Sequence, residues 1–515
     1  MSGFVDSSLD QSHELLLAEK RSRKRTYGSV QSPSDDNNEK PRLLTVAYSC
    51  AVIVQSWLVI GLTVGYTSPV LSDLEGSSSN GSSSAPLNKT AYQDLFSMLL
   101  PVGALIGTVI AGLIIDKVGR KLTLLVCSIT YAIGWLLIIL TLLTNGTLFR
   151  LFIFTGRLIG GIGVGFATLC APLYIAEISP SKYRGTFGVM NEFAQTSGVF
   201  IVQLAGDYVS YYWLALASLS VTCLYTIPAI KLKESPRWLL TKGRDKEARD
   251  ILVWLRGDEY DVDTEIKEIK EQCDSNETLS LSEIIQEFKK YSVYYPVLLA
   301  VILTFFQSFT GIDAVVFNAK DIYKHAKVPN PGIMASITCG GIQSLFALVG
   351  ARLTDILGRR TLLITSSVFL IFSLTAMGAY EMFYYNPNCY PLFAIISLAF
   401  FIGGFSIGWG AVTFVYLPEI VPLRVRGIGV GIATVASWSF IILLTGLFRN
   451  YQIAVKPWGA FWSFGIICFF GLIYVVFFIP ETKGKSLEEI ENYFKRNSKN
   501  INQKEANQKR FHYYH

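Results

Sequence analysis

The apolar stretch LLPVGALIGTVIAGLII, residues 99–115, is followed directly by Asp116-Lys-Val-Gly-Arg120-Lys. With the residues before it, the stretch is long enough for a helix of about 20 residues, which crosses a hydrocarbon core of about 30 Å. Charged residues enter that core only at high cost, so they mark its edge. The pattern recurs 239 residues later, where an apolar run ends in Asp355-Ile-Leu-Gly-Arg359-Arg. The chain is therefore predicted to hold membrane-spanning helices in two related halves.

The rest of the chain has the same character. Of its 515 residues, 51% are hydrophobic and 16% are charged, whereas soluble proteins are about 25% charged. Twelve apolar segments of spanning length follow one another, and we number them spans one to twelve. They lie at residues 43–67, 93–115, 122–144, 149–172, 187–206, 212–230, 294–319, 332–352, 361–383, 391–417, 427–448 and 457–479. The predicted fold class is an all-α membrane protein with twelve transmembrane helices in two six-helix bundles.

Polar segments divide the spans and orient them. The predicted order is a disordered cytosolic tail (1–42), a six-helix bundle (43–230), a cytosolic linker with short helices (231–293), a second six-helix bundle (294–479) and a cytosolic C-terminal tail (480–515). With the N-terminus in the cytosol, 37 of the 45 Lys and Arg residues fall on the inner side. Because positive residues concentrate in cytoplasmic loops, both termini are predicted to be cytosolic.

The composition argues against a nucleic-acid-binding protein, a metalloprotein and an enzyme. The net charge of +6 is modest and the basic residues lie mostly in loops, so no nucleic-acid partner is expected. The eight cysteines show no CxxC spacing and the four histidines lie outside the spans. We therefore expect no metal site, no cofactor and no enzyme activity.

Three Asn-x-Ser/Thr sequons fall in predicted outer loops, at Asn80, Asn88 and Asn145. Such sequons are acceptors for N-glycosylation, and they predict a glycoprotein of the plasma membrane. A Leu-Leu pair at 43–44, preceded by Glu39, fits an acidic dileucine sorting signal. That signal would allow an endosomal or lysosomal membrane; alternatively, the two leucines simply begin span one.

The charged motifs repeat acids and bases at fixed spacing. Glu177-Ile-Ser-Pro-Ser-Lys-Tyr-Arg184 recurs 242 residues later as Glu419-Ile-Val-Pro-Leu-Arg-Val-Arg426. Two repeated bundles suit alternating access, in which the halves rock around a central site. We predict that the charges form ion pairs across the two halves when an inner gate is closed; the alternative is that they only determine topology. The predicted gate residues are Asp116, Arg120, Glu177, Arg184, Asp355, Arg359, Glu419 and Arg426.

In their order, these motifs resemble the sugar porter family of the major facilitator superfamily, over residues 43–495. The set also includes Pro172-Leu-Tyr-Ile-Ala-Glu177, Glu234-Ser-Pro-Arg-Trp and Pro480-Glu-Thr-Lys-Gly. The resemblance implies facilitative or proton-coupled transport of hexoses, polyols or a disaccharide. It is strongest to the insect trehalose and intracellular-type glucose transporters. A small sugar and the lipid bilayer are the expected partners of a functional monomer.

Span seven carries the candidate sugar motif. Gln307-Ser308-Phe-Thr-Gly-Ile-Asp313 occupies the place of the family's Gln-Gln-Leu-Ser-Gly-Ile-Asn. Amides suit sugar hydroxyls because they both donate and accept hydrogen bonds, and polar residues inside spans are functional candidates because they are costly there. The resemblance implies further substrate-binding residues at Glu192, Gln343, Phe414, Ser437 and Trp438. The alternative is that these residues pack helices or line water.

Spans four and ten have unusual patterns of glycine and proline, the residues that most affect backbone conformation. Span four holds Gly156, Gly160, Gly161, Gly163 and Gly165 inside an apolar segment, which predicts close helix packing rather than a nucleotide-binding loop. In span ten, Gly-Ala-Val-Thr-Phe at 410–414 replaces the family's Gly-Pro-x-Pro-Trp. Because proline permits a helix break, its loss predicts a stiffer outer half of span ten.

The mode of coupling stays open at this stage. Proton symporters of this family carry an Asp in span one where this chain has Thr63, which favours facilitated diffusion. Glu192 and Asp313 keep proton coupling, or a cationic solute, as an alternative, since a carboxyl in low dielectric can take up a proton. Arg157 differs in depth from Glu192 and is expected to serve the outer half of the pathway. The third hypothesis is a sensor that binds sugar with little flux.

Overall fold

The computed structural model is helical throughout the part of the chain that it describes. That part comprises residues 43–76, 90–206, 208–272, 281–383 and 391–496. Within it, eleven helices are long and apolar enough to cross a membrane. A twelfth, Arg184–Gly206, has 23 residues but is less apolar, because polar side chains such as Asn191 and Glu192 lie along it. The predicted all-α, multi-pass fold of twelve spans is confirmed.

The first half contains spans one to six. Span one is Leu43–Gly65 and, after a turn at Tyr66, continues as Thr67–Gly76. The turn is anchored because the Tyr66 hydroxyl donates to the Tyr211 carbonyl oxygen, 2.8 Å away. Spans two to six are Thr90–Val118, Arg120–Leu140, Gly146–Ile178, Arg184–Gly206 and Tyr211–Lys231.

Two of these helices are longer than hydropathy predicts. Span four was expected at residues 149–172 and has 33 residues, ending at Ile178. Hydropathy reports where the bilayer core ends, whereas helical hydrogen bonding continues until the backbone turns away. Span two therefore continues to Val118, just before Gly119, whose φ of 95° is incompatible with a helix. The extensions place Asp116 and Glu177 on the last turns of their helices.

The second half repeats the six spans with more interruptions. Span seven comprises Tyr291–Ser308 and Ile312–His325, and span nine is Arg359–Phe383. Spans eleven and twelve follow one another within Arg426–Phe478, with Lys456 in a non-helical conformation between them. Span eight comprises Pro331–Ser336, the π-helical Ile337–Ile342 and Gln343–Leu357. Span ten comprises Pro391–Phe405, the π-helical Ser406–Gly410 and Ala411–Ile420.

The backbone of span ten is irregular although the two expected prolines are missing. Its π-helical segment ends at Gly410, where the replaced motif begins. A π-bulge leaves a backbone group without its ordinary partner and often occurs at functional sites. The loss of proline has therefore not produced a regular α-helix, and the simple argument for a stiffer span ten does not hold for its backbone geometry.

Small residues bring spans two and four into backbone contact. A Cβ built on Gly161 would lie 2.3 Å from the Leu100 carbonyl oxygen, and one built on Gly103 would lie 2.2 Å from the Leu158 carbonyl oxygen. Only glycine fits such close approaches. The prediction that the span-four glycines serve helix packing is confirmed, and it agrees with the role of small residues in membrane helix association.

Short helices cover the end of the bundle that carries the repeated charged motifs, which we call the motif end. Four of these short helices belong to the linker that joins the two halves along the chain. A further helix, at 487–496, begins where Ser486 and Glu489 exchange hydrogen bonds as a capping box. This layer is attached to the first half, because Trp238 Nε1 donates to the Asp116 carbonyl oxygen at 3.0 Å. The four helices are Pro236–Thr241, Asp245–Arg256, Val262–Gln272 and Leu281–Glu287.

Candidate functional site

The polar motif of span seven lies at a break in the helix. Helical structure ends at Ser308 and resumes at Ile312, with Gly311 at φ 86° in the left-handed region. A side chain does not fit at Gly311, because a Cβ built there would lie 2.4 Å from the Phe464 ring. The break puts Asp313 in the first turn of the second helix segment, where the helix dipole favours a carboxylate.

Two polar atoms at this break are buried without a hydrogen-bond partner among the described residues. They are Gln307 Oε1 and Ser308 Oγ, and Trp438 Nε1 on span eleven shares this property. Span eleven packs beside the break, since the ring centroids of Phe309 and Phe440 are 6.0 Å apart. Buried polar groups are nearly always hydrogen-bonded. A hydroxyl-bearing ligand could satisfy all three atoms, because each hydroxyl both donates and accepts.

Glu192 and Gln343 join the two halves beside this region. Glu192 is buried on span five, and its Oε1 is 3.4 Å from Gln343 Nε2 on span eight. Span ten approaches the same carboxylate, because a Cβ built on Gly410 would lie 3.0 Å from Glu192 Oε1. Asp313 is half-buried at the break in span seven. The structure thus brings two of the predicted site residues, Glu192 and Gln343, into contact, and it leaves Ser437 buried on span eleven.

Phe414 makes an aromatic contact between the halves. Its ring lies edge-on to Trp57 of span one, with centroids 5.4 Å apart at an interplanar angle of 74°. Trp57 is buried and its Nε1 donates to the Ala167 carbonyl oxygen at 3.3 Å. Phe414 lies one helical turn from Gly410 toward the motif end, so the two rings make contact between the central residues and that end. Sequence reasoning missed Trp57; the signal was a tryptophan in the middle of a span.

Arg157 anchors the opposite end of span one. Its Nη1 donates to the Thr63 carbonyl oxygen at 2.8 Å and its Nη2 to Thr67 Oγ1 at 2.5 Å. The guanidinium also lies 4.6 Å from the centroid of the Phe96 ring. No Asp or Glu in the described ranges lies within ion-pair distance of this buried arginine. As the difference in depth predicted, Arg157 does not pair with Glu192.

At the motif end, the ion pairs of Arg120 and Arg359 form within each half. Arg120 pairs with Glu177 at 2.8 Å in the first half, and Arg359 pairs with Glu419 at 2.8 Å in the second. The prediction of ion pairs across the halves is wrong for these four residues. Arg120 begins span three and Arg359 begins span nine, each one helical turn after an aspartate of its own half. The side chain of each arginine reaches a glutamate at the end of a neighbouring helix in the same bundle. Arg120 also forms an ion pair with Asp116 at 3.1 Å, and Arg359 forms one with Asp355 at 3.2 Å.

Two further acids, Glu234 and Glu481, contact the same two arginines, and sequence reasoning did not identify them. Glu234 Oε1 accepts from the Arg120 backbone N–H at 2.9 Å, and Glu481 Oε1 accepts from the Arg359 backbone N–H at 3.0 Å. Each caps the N-terminus of a span. The signal was present in the sequence, because both lie just after the sixth span of their half in the motifs Glu-Ser-Pro and Glu-Thr-Lys.

Direct contact between the halves instead joins a carboxylate to a helix N-terminus. Asp355 accepts from the backbone N–H groups of Gly185 at 3.1 Å and Thr186 at 2.7 Å, and from Thr186 Oγ1 at 2.6 Å. These N–H groups belong to the first turn of span five and have no helical partner. In the reciprocal place, a Cβ built on Gly427 would lie 2.3 Å from Asp116 Oδ2. Each half thus places an aspartate against a helix start of the other half.

The remaining gate candidates, Arg184 and Arg426, are buried without an ion pair in the described part of the chain. Arg426 Nε donates to the Val421 carbonyl oxygen at 3.1 Å, and Arg184 Nη1 has only a 3.5 Å contact with the Lys485 carbonyl oxygen. Arg184 Nε and Arg426 Nη1 have no hydrogen-bond partner among the residues that the structure describes. The predicted pairing of these arginines is therefore wrong, because Glu177 and Glu419 are already occupied by the arginines of their own halves.

Arg237 and Glu488 form a buried ion pair that the sequence did not suggest. It joins the linker to the C-terminal helix, 251 residues apart in the chain. Burial alone would raise the pKa of Glu488, but the Arg237 charge and hydrogen bond outweigh it and hold that pKa at about 2. The pair is therefore ionised at neutral pH and ties the two segments together.

Other predicted features lie partly outside the described residues. Asn80 and Asn88 lie in residues 77–89, which the structure does not describe, whereas Asn145 is exposed just before span four. No group of three or more His, Cys, Asp or Glu residues that could hold a metal occurs within the described ranges.

Comparison with known proteins connects this arrangement to a family. A family model described as "Sugar (and other) transporter" matches residues 46–494. The facilitated trehalose transporter Tret1 of Bombyx mori is 32% identical over 467 residues, which cover 89% of each chain.

Solved structures show the same fold. The proton:xylose symporter XylE bound to 6-bromo-6-deoxy-D-glucose has a TM-score of 0.78, with 23% identity over 88% of this chain and 99% of that one. The inward open conformation of XylE from E. coli has a TM-score of 0.64, with 22% identity over 87% of this chain and 99% of that one. The chain belongs to the sugar transporter family.

Proposed function

We propose that this protein moves a sugar, either a hexose or a trehalose-like disaccharide, by facilitated diffusion through alternating access. The observation that carries the proposal is the break in span seven, where Gln307 and Ser308 hold buried polar atoms without partners. Gln343 of the second half lies 3.4 Å from Glu192 of the first half, which joins the halves beside this region. A ligand bound here touches both halves, as rocking around a central site requires. The Tret1 relative, named a facilitated trehalose transporter, supports the same class.

The central site is proposed to consist of the polar and aromatic residues of both halves. Gln307, Ser308, Gln343, Trp438 and Ser437 supply hydrogen-bonding groups, and Glu192 and Asp313 supply acceptors. Phe414 supplies an apolar edge, which sugar rings need beside their hydroxyls.

The motif end is proposed to face the cytosol, with both chain termini on that side, because most basic residues lie there. The structure is then a state in which the cytosolic side is closed. Opening must separate Asp355 from the start of span five and Phe414 from Trp57. The ion pairs within each half stay intact and keep each bundle rigid.

Facilitated diffusion is favoured over proton coupling by the surroundings of Arg157. This arginine donates to the Thr63 carbonyl oxygen and the Thr67 hydroxyl. Neither group exchanges a proton near neutral pH, and among the described residues no Asp or Glu forms an ion pair with this arginine. Proton coupling through Glu192 or Asp313 is the alternative that the transport experiment must exclude.

The test is uptake by proteoliposomes that contain the full chain. We expect saturable, downhill uptake of labelled glucose or trehalose that does not change when an ionophore collapses an imposed proton gradient. Accumulation that the ionophore abolishes would establish a symporter instead. Saturable binding without flux would establish a sensor.

A plasma-membrane glycoprotein that works as a monomer is the proposed setting. Asn145 is exposed beside the start of span four, at the end opposite the motif end. In expressing cells, a glycosidase should lower the apparent mass of the wild type, and Asn145→Gln should remove part of that shift. Asn276, on the proposed cytosolic side, serves as the control, and Asn276→Gln should change nothing. A shift that depends on Asn276 would reverse the proposed orientation.

A further inference from the structure

Asn191 on span five is buried although neither end of its side-chain amide has a hydrogen-bond partner. The residue is 2% exposed, and both Nδ2 and Oδ1 are unpartnered among the described residues. No other Asn or Gln in the described ranges has both ends of its amide buried without a partner. Buried polar groups are nearly always hydrogen-bonded, and an amide offers two donors as well as an acceptor. The closed state therefore leaves a whole amide group available for a ligand.

The register between spans one and five gives the depth of Asn191. Both helices begin at the motif end, and a Cβ built on Gly61 would lie 1.9 Å from the Gln195 carbonyl oxygen. Asn191 lies about one helical turn before Gln195, and Trp57 lies about one turn before Gly61. Asn191 and Trp57 are therefore at the same depth, on neighbouring helices of the first half.

Span ten of the second half packs on the same face of span five. A Cβ built on Gly188, one turn before Asn191, would lie 2.6 Å from Val415 Cγ2. Residues three and four positions apart share a helix face, so Asn191 lies between the contact with span ten and the contact with span one. Phe414, next to Val415, meets Trp57 with the ring centroids 5.4 Å apart. Asn191 is thus at the level of the aromatic contact that joins the halves.

We infer that Asn191 forms an exit subsite, which binds sugar hydroxyls once Trp57 and Phe414 have separated. This inference rests on the proposed function, because it assigns a further contact to the passage between the central site and the cytosol. Separation of the two rings opens the face of span five that carries the amide. The amide then both donates to and accepts from the sugar. It binds in one state only, because span ten covers it while the cytosolic side is closed.

The test replaces Asn191 with leucine, which has about the same size and removes both polar ends. Labelled glucose is followed into and out of right-side-out and inside-out vesicles that contain the full chain. The half-saturating concentration for efflux should rise by about fivefold, which corresponds to one neutral hydrogen bond, and that for influx should stay unchanged. Because a passive carrier cannot build a gradient, the ratio of maximal rate to half-saturating concentration is the same in both directions. The maximal efflux rate should therefore rise by the same factor.

Stability and a control variant separate binding from folding. Purified Asn191→Leu should unfold in detergent at the wild-type midpoint or above it, because removing an unsatisfied buried amide removes its desolvation cost. Thr222→Val is the matched control, since it removes a buried hydroxyl of span six that donates to the Ser218 carbonyl oxygen of its own helix at 2.8 Å. Its half-saturating concentrations should equal those of the wild type in both directions.

The outcomes distinguish this inference from the proposed function. Transport of neither glucose nor trehalose by the wild type overturns both together. Half-saturating concentrations that are unchanged in Asn191→Leu overturn this inference alone. An equal rise in both directions also overturns it, because Asn191 would then bind sugar in both states. Loss of folding in both Asn191→Leu and Asn191→Ala overturns it as well, because the amide would then have a structural role in the closed state.

Discussion

Arg157 holds span one to span four through its two terminal nitrogens. Its side chain is 1% exposed, and its partners are the Thr63 carbonyl oxygen and the Thr67 hydroxyl. They lie on either side of the turn at Tyr66, so the guanidinium bridges the two helical segments of span one. A buried charge without a carboxylate partner is costly, and only a planar, bidentate donor reaches both groups at once.

Replacing this arginine by lysine should therefore destabilise the protein. Arg157→Lys keeps the charge but can reach only one of the two oxygens, and a hydrogen bond from a charged group is worth about 2 kcal/mol. We expect a lower midpoint of thermal unfolding for the purified variant in detergent. Arg352→Lys, an exposed arginine near the end of span eight, is the matched control. Equal midpoints for the two variants would contradict the bridging role.

Asp355 links the halves through two backbone N–H groups, and its removal should loosen that contact. Asp355→Asn has one oxygen where the carboxylate has two, so it can no longer accept well from both Gly185 and Thr186. Hydrogen exchange of peptides that cover residues 184–190 should become faster, measured by mass spectrometry in nanodiscs. The exposed Asp250→Asn should exchange as the wild type does in these peptides. Unchanged exchange in Asp355→Asn would mean that other contacts hold the start of span five.

At the scale of elements, the interrupted helices of the second half position the site. Span seven stops at Ser308 and restarts at Ile312, while spans eight and ten contain π-helical segments that end at Ile342 and Gly410. Gln343 and Gly410, which both approach Glu192, therefore lie at or directly after these irregular segments. The first half provides the longer, regular helices against which they pack.

Gly311→Ala tests whether the break in span seven is required. An L-residue at φ 86° costs about 1–2 kcal/mol, and the added methyl group would collide with Phe464. We expect a lower unfolding midpoint and a loss of sugar uptake. Gly465→Ala is the control, because its Cβ would lie at an ordinary 3.7 Å from Leu374 Cβ. Adding Phe464→Leu should recover part of the stability but not the strain at φ; uptake equal to that of the control would show that the break is dispensable.

At the scale of the whole molecule, the two halves are closed together by the layer of short helices. Arg237 in the linker and Glu488 in the C-terminal helix form an ion pair between segments attached to different halves. The backbone N–H of Leu423 also donates to Glu491 of the C-terminal helix at 3.2 Å. The linker and the C-terminal segment are therefore part of the closed state and not passive connections.

The Arg237–Glu488 pair predicts a definite dependence on pH. The ordinary pKa of 4.5 falls to about 2 in the folded protein. Because the folded-state pKa is depressed, the stabilisation is complete above about 4.5 and is lost as the pH falls toward about 2. Glu488→Gln should thus unfold at a lower temperature than the wild type at pH 7, and the difference should shrink over that window. The exposed Glu271→Gln should track the wild type; a difference independent of pH would contradict the ion pair as its cause.

Much of the candidate site could be predicted from the sequence as a set of residues, but not as an arrangement. Gln307, Asp313 and Gln343 were identified as polar residues in apolar spans. Trp57 was missed, because an aromatic residue in a span does not stand out from the apolar background. The gate charges were identified correctly as groups at one end of the bundle, yet their partners were wrong. Sequence spacing shows that charges recur, but it does not show which helix ends meet.

The sequence by itself determined the class, the number of spans, the duplication and the distribution of basic residues. These properties are sums over local segments, since hydrophobic length and flanking charge act on each helix separately. Only the tertiary structure decided that Arg120 and Arg359 pair within their own halves, that Asp355 caps a helix of the other half, and that Glu192 contacts Gln343. Such contacts join residues 57 to 170 positions apart in the chain. The packing of whole helices, and not local preference, sets their distances.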